Sequence, residues 1–154
     1  MAVYFVDSSA LVKRYISEIG SAWVLSLFDS ALNNEVLIAA ITGVEIVAAI
    51  TRQARGGSIS AMDAMAACTQ FRSDLQSEYQ VVEITENIIN SAMALAETLG
   101  LRGYDAVQLA AGREINALCI ASNLPPVTFV SADKELNAAA ASEGLLIENP
   151  NNYP

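Results

Sequence analysis

Histidine is absent from the sequence, and this absence removes several kinds of active site. Ser-His-Asp and Cys-His catalysis, histidine-ligated zinc and a histidine general base are all excluded. A Ser-x-x-Lys pair is not formed near the N-terminus either, because Lys13 lies four residues after Ser9 instead of three. Neither GxGxxG nor GxxxxGKS/T occurs, so dinucleotide binding and P-loop nucleotide binding lose their usual support. Oxygen ligands and metal ions remain for difficult chemistry.

Basic residues are also scarce. Eight Lys and Arg residues against 17 Asp and Glu residues give a formal net charge of −9. This is opposite to the charge of a generic nucleic-acid-binding protein, which usually presents a basic face. A nucleic-acid substrate is still compatible with the chain if part of the negative charge is concentrated where cations bind.

Long apolar runs and cysteine-rich segments are missing as well. No run reaches the roughly 20 apolar residues that a membrane span needs, and no basic segment precedes the N-terminal apolar stretch, so neither a span nor a signal peptide is expected. Cys68 and Cys119 lie singly in apolar, helical-looking segments. They could pair, but buried free thiols in a cytoplasmic protein are the favoured interpretation. The 154 residues, 53% of them hydrophobic, suffice for one domain with its own core.

Short apolar runs alternate with segments of helical periodicity along the chain. Strands are predicted at residues 3–6, 36–39, 80–84, 127–130 and 145–147. Helices are predicted after Asp7, from Ser21 through Leu32, at 42–55, from Ser60, and at 85–100, 104–122 and 133–143. Because strands that alternate with helices pair through crossover connections, this order predicts an α/β fold, a three-layer α/β/α sandwich around a mostly parallel sheet of about five strands. Residues 1–148 would form this single domain, and 149–154 an irregular C-terminal tail.

Four carboxylates lie at or near predicted helix starts. Asp7 follows the first strand in VYFVDSS, and Asp133 follows the fourth in VTFVSADKEL. Glu45 comes five residues after VLIAA, and Asp105 opens the long helix in LRGYDAVQLAA. Because loops that follow parallel strands emerge at one edge of the sheet, where ligands bind, at least three of the four are expected to share that edge.

Each acid also has a purely structural explanation. Asp7 can cap its helix, and residues 42–45 spell a capping box with Thr42 as the cap. Asp105 and Asp133 suit the first turn of a helix. Asp63 makes a similar pattern with no strand before it, and it is predicted to be only part of a helix start.

Taken together, the four carboxylates indicate a site for a hard cation, Mg²⁺ or Mn²⁺. Without a cation, four adjacent negative charges would raise one another's pKa values, and only Arg102 and Lys134 flank them closely. Such a site permits metal-assisted hydrolysis of a phosphodiester, which requires neither histidine nor a protein nucleophile.

Four stretches, VYFVDSSALVKRY, ITGVEIVAA, LRGYDAVQLAA and VTFVSADKEL, occur in this order and span nearly the whole chain. Together they resemble the PIN-domain ribonucleases, most of all the VapC-type toxins of VapBC toxin–antitoxin pairs. The resemblance implies a PIN-like α/β/α fold and Mg²⁺- or Mn²⁺-dependent endonucleolytic cleavage of RNA. It assigns the family's catalytic, metal-binding quartet to Asp7, Glu45, Asp105 and Asp133. It also implies a homodimer and a small antitoxin partner that covers the active site.

Residues near the quartet are candidates for supporting roles. Hydroxyl groups beside metal ligands commonly orient them, which suggests such a role for Ser8, Ser9 and Ser131, although helix capping explains the three serines equally well. The candidates for contacts with RNA phosphates are Lys13, Arg14, Arg102 and Lys134, although solvated helix faces also explain them.

Two alternatives remain open. The first is a catalytically silent PIN-fold module kept for protein contacts, and the intact quartet argues against it. The second is a HAD-like phosphatase with Asp7 as nucleophile. That chemistry requires a second aspartate two residues later, where this chain has Ser9.

Overall fold

Five parallel strands form one sheet in the computed structural model, which describes residues 1–154. The spatial order is β3-β2-β1-β4-β5, and every neighbouring pair is parallel. The predicted parallel α/β/α architecture is therefore confirmed. The strands are β1 (Val3–Val6), β2 (Glu35–Ala39), β3 (Gln80–Val82), β4 (Val127–Val130) and β5 (Leu146–Glu148).

Seven α-helices and two short 3₁₀ turns connect and cover the strands. The turns lie at Val12–Arg14 and Pro150–Asn152. The C-terminal tail therefore contains one turn of helix, and Tyr153 within it stacks on Trp23 with 4.9 Å between ring centroids. The helices are α1 (Ser8–Leu11), α2 (Ser21–Ser26), α3 (Ala40–Arg55), α4 (Ala61–Ser77), α5 (Glu86–Leu99), α6 (Gly103–Ala121) and α7 (Lys134–Ser142).

Two local predictions are wrong. The second helix ends at Ser26 instead of continuing to Leu32. The predicted capping box at residues 42–45 does not form, because α3 already begins at Ala40 and Thr42 lies inside the helix, fully buried. Its hydroxyl accepts a hydrogen bond from Gln108, at 2.8 Å, and therefore joins two helices instead of ending one.

Apolar side chains pack against both faces of the sheet. Phe5 and Phe129 stack at 5.7 Å within the cluster that involves α5, α6 and α7, while Val6 and Ile38 belong to the cluster that involves α1, α3 and α4. Gly112 lets α6 approach the sheet closely, since a Cβ there would lie only 2.9 Å from the Phe129 ring. Burying each phenylalanine contributes about 1.5–3 kcal/mol, so this packing fixes α6 over the central strands.

The strand order places a crevice at the centre of the sheet. From β1 the chain moves to β2 and β3 on one side, and β4 and β5 add on the other side. Ligands bind at the carboxyl ends of the strands where such an order reverses, here between β1 and β4. The backbone holds that edge together, since the Asp7 N–H donates to the carbonyl of Val130 at 3.0 Å.

Two further observations concern the helices and the cysteines. No helix has the length and apolar character that crossing a lipid bilayer demands. Cys68 and Cys119 are both free thiols, as the sequence favoured.

Candidate active site

All four predicted carboxylates line one cleft of about 530 Å³ at the carboxyl edge of the sheet. Asp7 directly follows β1, and Asp133 lies three residues after β4. Glu45 comes from the second turn of α3, and Asp105 is the third residue of α6. Three layers of the fold thus converge on the crevice, and all four acids lie at the edge of the sheet that at least three of them were expected to share.

Asp7 is the most buried of the four, with 3% of its surface exposed. Its Oδ1 accepts hydrogen bonds from Ser9 Oγ at 2.7 Å and from the Ala10 N–H at 3.0 Å, and its Oδ2 accepts one from Ser131 Oγ at 2.7 Å. Desolvation raises the pKa of Asp7 to about 6, against the lowering effect of these bonds. The carboxylate therefore caps α1 and at the same time stands in the cleft.

Ser9 and Ser131 join the loops that follow β1 and β4. Their hydroxyl oxygens are 3.2 Å apart. Ser9 Oγ accepts from the Ala132 N–H at 2.9 Å, and Ser131 Oγ accepts from the Asp133 N–H at 3.0 Å. These bonds fix the position of Asp7 relative to the loop that carries Asp133, in keeping with the orienting role predicted for the two serines.

Glu45 is held from two sides. Ser8 Oγ donates a hydrogen bond to Oε2, and Gln108 Nε2 donates to Oε1 at 3.3 Å. Sequence reasoning missed Gln108, which is buried on α6 one turn after Asp105. A polar side chain three residues after Asp105, in the apolar run AVQLAA, is the signal that could have identified it, because residues i and i+3 share a helix face.

Asp105 is electrostatically coupled to the other three carboxylates. Desolvation and the charges of Asp133 and Glu45 raise the pKa of Asp105 to about 6, and Arg102 lowers it. The charge of Asp105 in turn contributes to the raised pKa of Asp7. None of the four forms a salt bridge. Their negative charge is therefore left without a basic partner in direct contact.

This donor set fits a hard divalent cation in its chemistry, because it consists of carboxylate oxygens with uncompensated charge. No three Asp, Glu or Cys side chains are, however, grouped so that they could hold a metal ion together. Asp133 uses Oδ1 to cap α7, accepting from the N–H groups of Glu135 at 2.8 Å and Leu136 at 3.1 Å. Binding a shared cation would therefore draw the carboxylates closer together.

Two of the four predicted phosphate contacts lie outside the cleft. Lys13 is buried, and its Nζ lies 3.1 Å from Glu18 Oε1 and donates to the Ile19 carbonyl at 2.9 Å. Arg14 stacks on Phe28, with 3.8 Å from Cζ to the ring centroid, and donates to Tyr79 Oη at 2.9 Å. Both side chains are thus engaged by other parts of the fold, and their contact with RNA stays a prediction.

Arg102 and Lys134 lie in a better place. They are exposed and line an adjoining cleft of about 780 Å³ that shares Asp105 and Asp133 with the acidic one. Arg52 lines the acidic cleft itself and was not predicted. It lies seven residues after Glu45, which places both on one face of α3. Three basic side chains therefore border the carboxylates.

The fold and the cleft define a class: α/β/α sandwich proteins with an acidic site at the central crevice of a parallel sheet. The model of the PIN domain family matches residues 4–141, so the chain belongs to the PIN domain family.

The chain is similar to Ribonuclease VapC45 of Mycobacterium tuberculosis, with 28% identity over 144 residues that cover 94% of this chain and 93% of the relative. The crystal structure of PAE2754 from Pyrobaculum aerophilum superposes with a TM-score of 0.63 at 22% identity, covering 95% of this chain and 83% of that one. A toxin–antitoxin complex from Klebsiella pneumoniae gives a TM-score of 0.61 at 15% identity, covering 97% and 98%. At these identities the two structures support the fold.

Proposed function

We propose that the protein is a metal-dependent endoribonuclease that hydrolyses RNA phosphodiester bonds, with Asp7, Glu45, Asp105 and Asp133 as ligands of Mg²⁺ or Mn²⁺. The observation that carries this proposal is the convergence of four carboxylates without salt-bridge partners on one cleft. The similarity to a protein named as a ribonuclease supports RNA as the substrate class.

The contacts of the carboxylates suggest a separate role for each in binding the cation. When bound, a divalent cation supplies Lewis-acid chemistry, lowering the pKa of a water molecule and offsetting charge on the phosphate. Asp7 offers oxygens whose direction is fixed by three hydrogen bonds. The charge of Asp105 interacts with the charges of the other three acids. Asp105 is therefore placed to share a cation with them.

The basic residues at the cleft supply the contacts that a protein of net charge −9 needs in order to hold RNA. Arg102 and Lys134 face the second cleft beside Asp105, and Arg52 borders the first. We propose that the RNA backbone runs along these two clefts. Its phosphates would contact the basic residues, and the scissile phosphate would lie at the carboxylates. Few contacts of this kind give modest, salt-sensitive affinity.

Cleavage of a single-stranded RNA in the presence of Mn²⁺ tests the proposal. Asp105→Asn should lower activity by at least about 100-fold, because it removes a proposed metal ligand, and even residues that only orient such ligands typically cost about 10–100-fold when changed. Asp63→Asn is the matched control, since Asp63 is exposed on α4 and lies outside the cleft. Activity that persists in EDTA, or in Asp105→Asn with its fold retained, would refute the proposal.

A silent PIN-fold module is the second candidate, and the absence of any three grouped carboxylates is the observation that favours it. Titration calorimetry with Mn²⁺ separates the two candidates. The proposed nuclease binds Mn²⁺, and Asp7→Asn weakens that binding, whereas the silent module binds none.

We further propose that the protein is the toxin of a toxin–antitoxin pair, a cytoplasmic homodimer with a small antitoxin partner. The VapC name of one relative and the toxin–antitoxin complex among the structural neighbours support this assignment. Co-expression with the product of a short reading frame next to the gene should suppress RNA cleavage. Light scattering during size-exclusion chromatography should give twice the mass of one 16.3 kDa chain.

A further inference from the structure

Gln108 is a buried amide that links the helices carrying Asp105 and Glu45. Only 1% of its surface is exposed. Its Nε2 donates to Thr42 Oγ1 at 2.8 Å and to Glu45 Oε1 at 3.3 Å. Both acceptors lie on α3, whereas Gln108 lies on α6, one turn after Asp105. One side chain therefore ties the position of Glu45 to the helix that carries the central carboxylate of the cleft.

Folding alone does not account for an amide at this position. Gln108 Oε1 is buried and has no hydrogen-bond partner. A buried acceptor without a donor destabilises the folded state, and its neighbours Leu109 and Ala110 show that apolar side chains pack well in this part of α6. A glutamine adds N–H groups that an apolar residue of similar size lacks, and they reach Thr42 and Glu45; of these two acceptors, only Glu45 lines the cleft.

We propose that Gln108 is a positioning residue that sets the direction of the Glu45 carboxylate for the metal ion. The proposal rests on the metal-dependent function above. Ser8 on α1 holds one oxygen of Glu45, and Gln108 on α6 holds the other. A glutamate loses considerable side-chain freedom when it becomes ordered, so ordering it in advance lowers the cost of binding a cation.

Calorimetric titration of Mn²⁺ into the metal-free protein tests the role of Gln108. Gln108→Met keeps the volume and removes the N–H group, and it should weaken Mn²⁺ binding about tenfold. In a Glu45→Gln background the same change should have no further effect, because the carboxylate that Gln108 directs is gone. Equal weakening in both backgrounds would indicate a general packing effect and would overturn the proposal.

Thr42→Val is the control for losing a buried hydrogen bond at the same place. It removes the other acceptor of Gln108 and leaves the bond to Glu45, so Mn²⁺ affinity should stay within about twofold of the wild type. If Gln108→Met does not fold, as judged by circular dichroism, Gln108→Asn serves instead. The shorter amide stays polar but withdraws from Glu45, and unchanged Mn²⁺ affinity in that folded variant overturns the proposal equally.

RNA cleavage provides a second readout. A positioning role predicts that Gln108→Met needs a higher Mn²⁺ concentration for half-maximal activity and recovers the wild-type rate at saturation. A rate that stays low at saturating Mn²⁺ would contradict it. Wild-type protein that binds no Mn²⁺ would overturn the proposed function together with this inference, whereas normal wild-type binding with unchanged affinity in Gln108→Met would overturn this inference alone.

Discussion

Asp7→Asn should make the metal-free protein more stable at neutral pH, although the same change should abolish metal-dependent activity. The wild-type carboxylate is nearly inaccessible to solvent, and burial raises its pKa from 3.8 to about 6. An acid with a raised folded-state pKa stabilises the fold while it is protonated and loses that contribution as the pH rises from about 4 to about 6. At neutral pH the folded protein therefore carries an ionised group that the unfolded chain accommodates better.

The size of the effect follows from the pKa. Each pKa unit corresponds to about 1.36 kcal/mol, so the rise from 3.8 to about 6 amounts to about 3 kcal/mol at pH 7.5. The same relation gives about half of that at pH 5, where the folded-state carboxyl is mostly protonated and the unfolded one is mostly ionised. Asparagine keeps the size and one acceptor oxygen, which can still receive the Ala10 N–H.

The assay is urea unfolding of wild type and Asp7→Asn in EDTA, at pH 5 and at pH 7.5. Both values lie above the isoelectric point of about 4.3, which limits aggregation. Replacing carboxylate by amide also rearranges the hydrogen bonds to Ser9 and Ser131, but that rearrangement does not depend on pH. The difference between the two pH values therefore reports chiefly the ionisation of Asp7, with a smaller contribution from its coupling to Asp105, and it should be about 1.5 kcal/mol.

A change in unfolding free energy that is the same at pH 5 and pH 7.5 would refute the reasoning. Asp63→Asn is the control, because Asp63 is an exposed aspartate at the start of α4. It should change the unfolding free energy by less than about 1 kcal/mol at either pH.

Two further predictions concern the basic residues. Arg102→Ala should weaken RNA binding for all sequences alike, because Arg102 is exposed beside the cleft. The slope of log affinity against log salt should become less steep by about 0.7, and the melting temperature should not change. Filter binding at several salt concentrations measures the affinity and its slope. Arg14→Met should destabilise the protein by about 2–4 kcal/mol in urea, because Asp74 loses its ionic partner at 3.6 Å. The same variant should cleave RNA at the wild-type rate under native conditions, and a selective loss of RNA affinity would show that Arg14 does contact the substrate.

The positions of Asp7 and Asp133 were predictable because they depend on local signals. Each follows a short apolar strand that ends at a helix start, and the bounds of β1 and β4 agree with the predicted ones. Parallel topology then requires both to lie at one edge of the sheet. The position of Glu45 was less well defined by the sequence, because it lies inside a helix and not directly after a strand. That helix begins at Ala40, two residues earlier than predicted.

The partners of these acids were not predictable, because they depend on packing between distant segments. Gln108 and Glu45 are 63 residues apart in sequence and meet only because α6 and α3 both pack near the central strands. Lys13 and Arg14 illustrate the opposite case. Their closeness to Asp7 in sequence suggested a shared site, but the helix after Asp7 lasts four residues and the following 3₁₀ turn directs both side chains to other partners.

The unfavourable features of the molecule are concentrated around one cleft. A buried aspartate, a carboxylate repelled by its neighbours and a buried amide oxygen without a partner all lie in or directly behind it. The other buried amide oxygen without a partner, Asn137 Oδ1, belongs to a side chain whose Nδ2 donates to the Ser131 carbonyl behind Asp7, whereas Ser60 and Thr85 use their hydroxyls to cap α4 and α5. Stability alone would favour removing each of these features, and natural sequences retain such conflicts chiefly where function requires them. A cation would relieve the charge conflicts at the point where a phosphodiester would be bound, and for this reason the cleft, more than any single motif, favours the proposed metal-dependent nuclease.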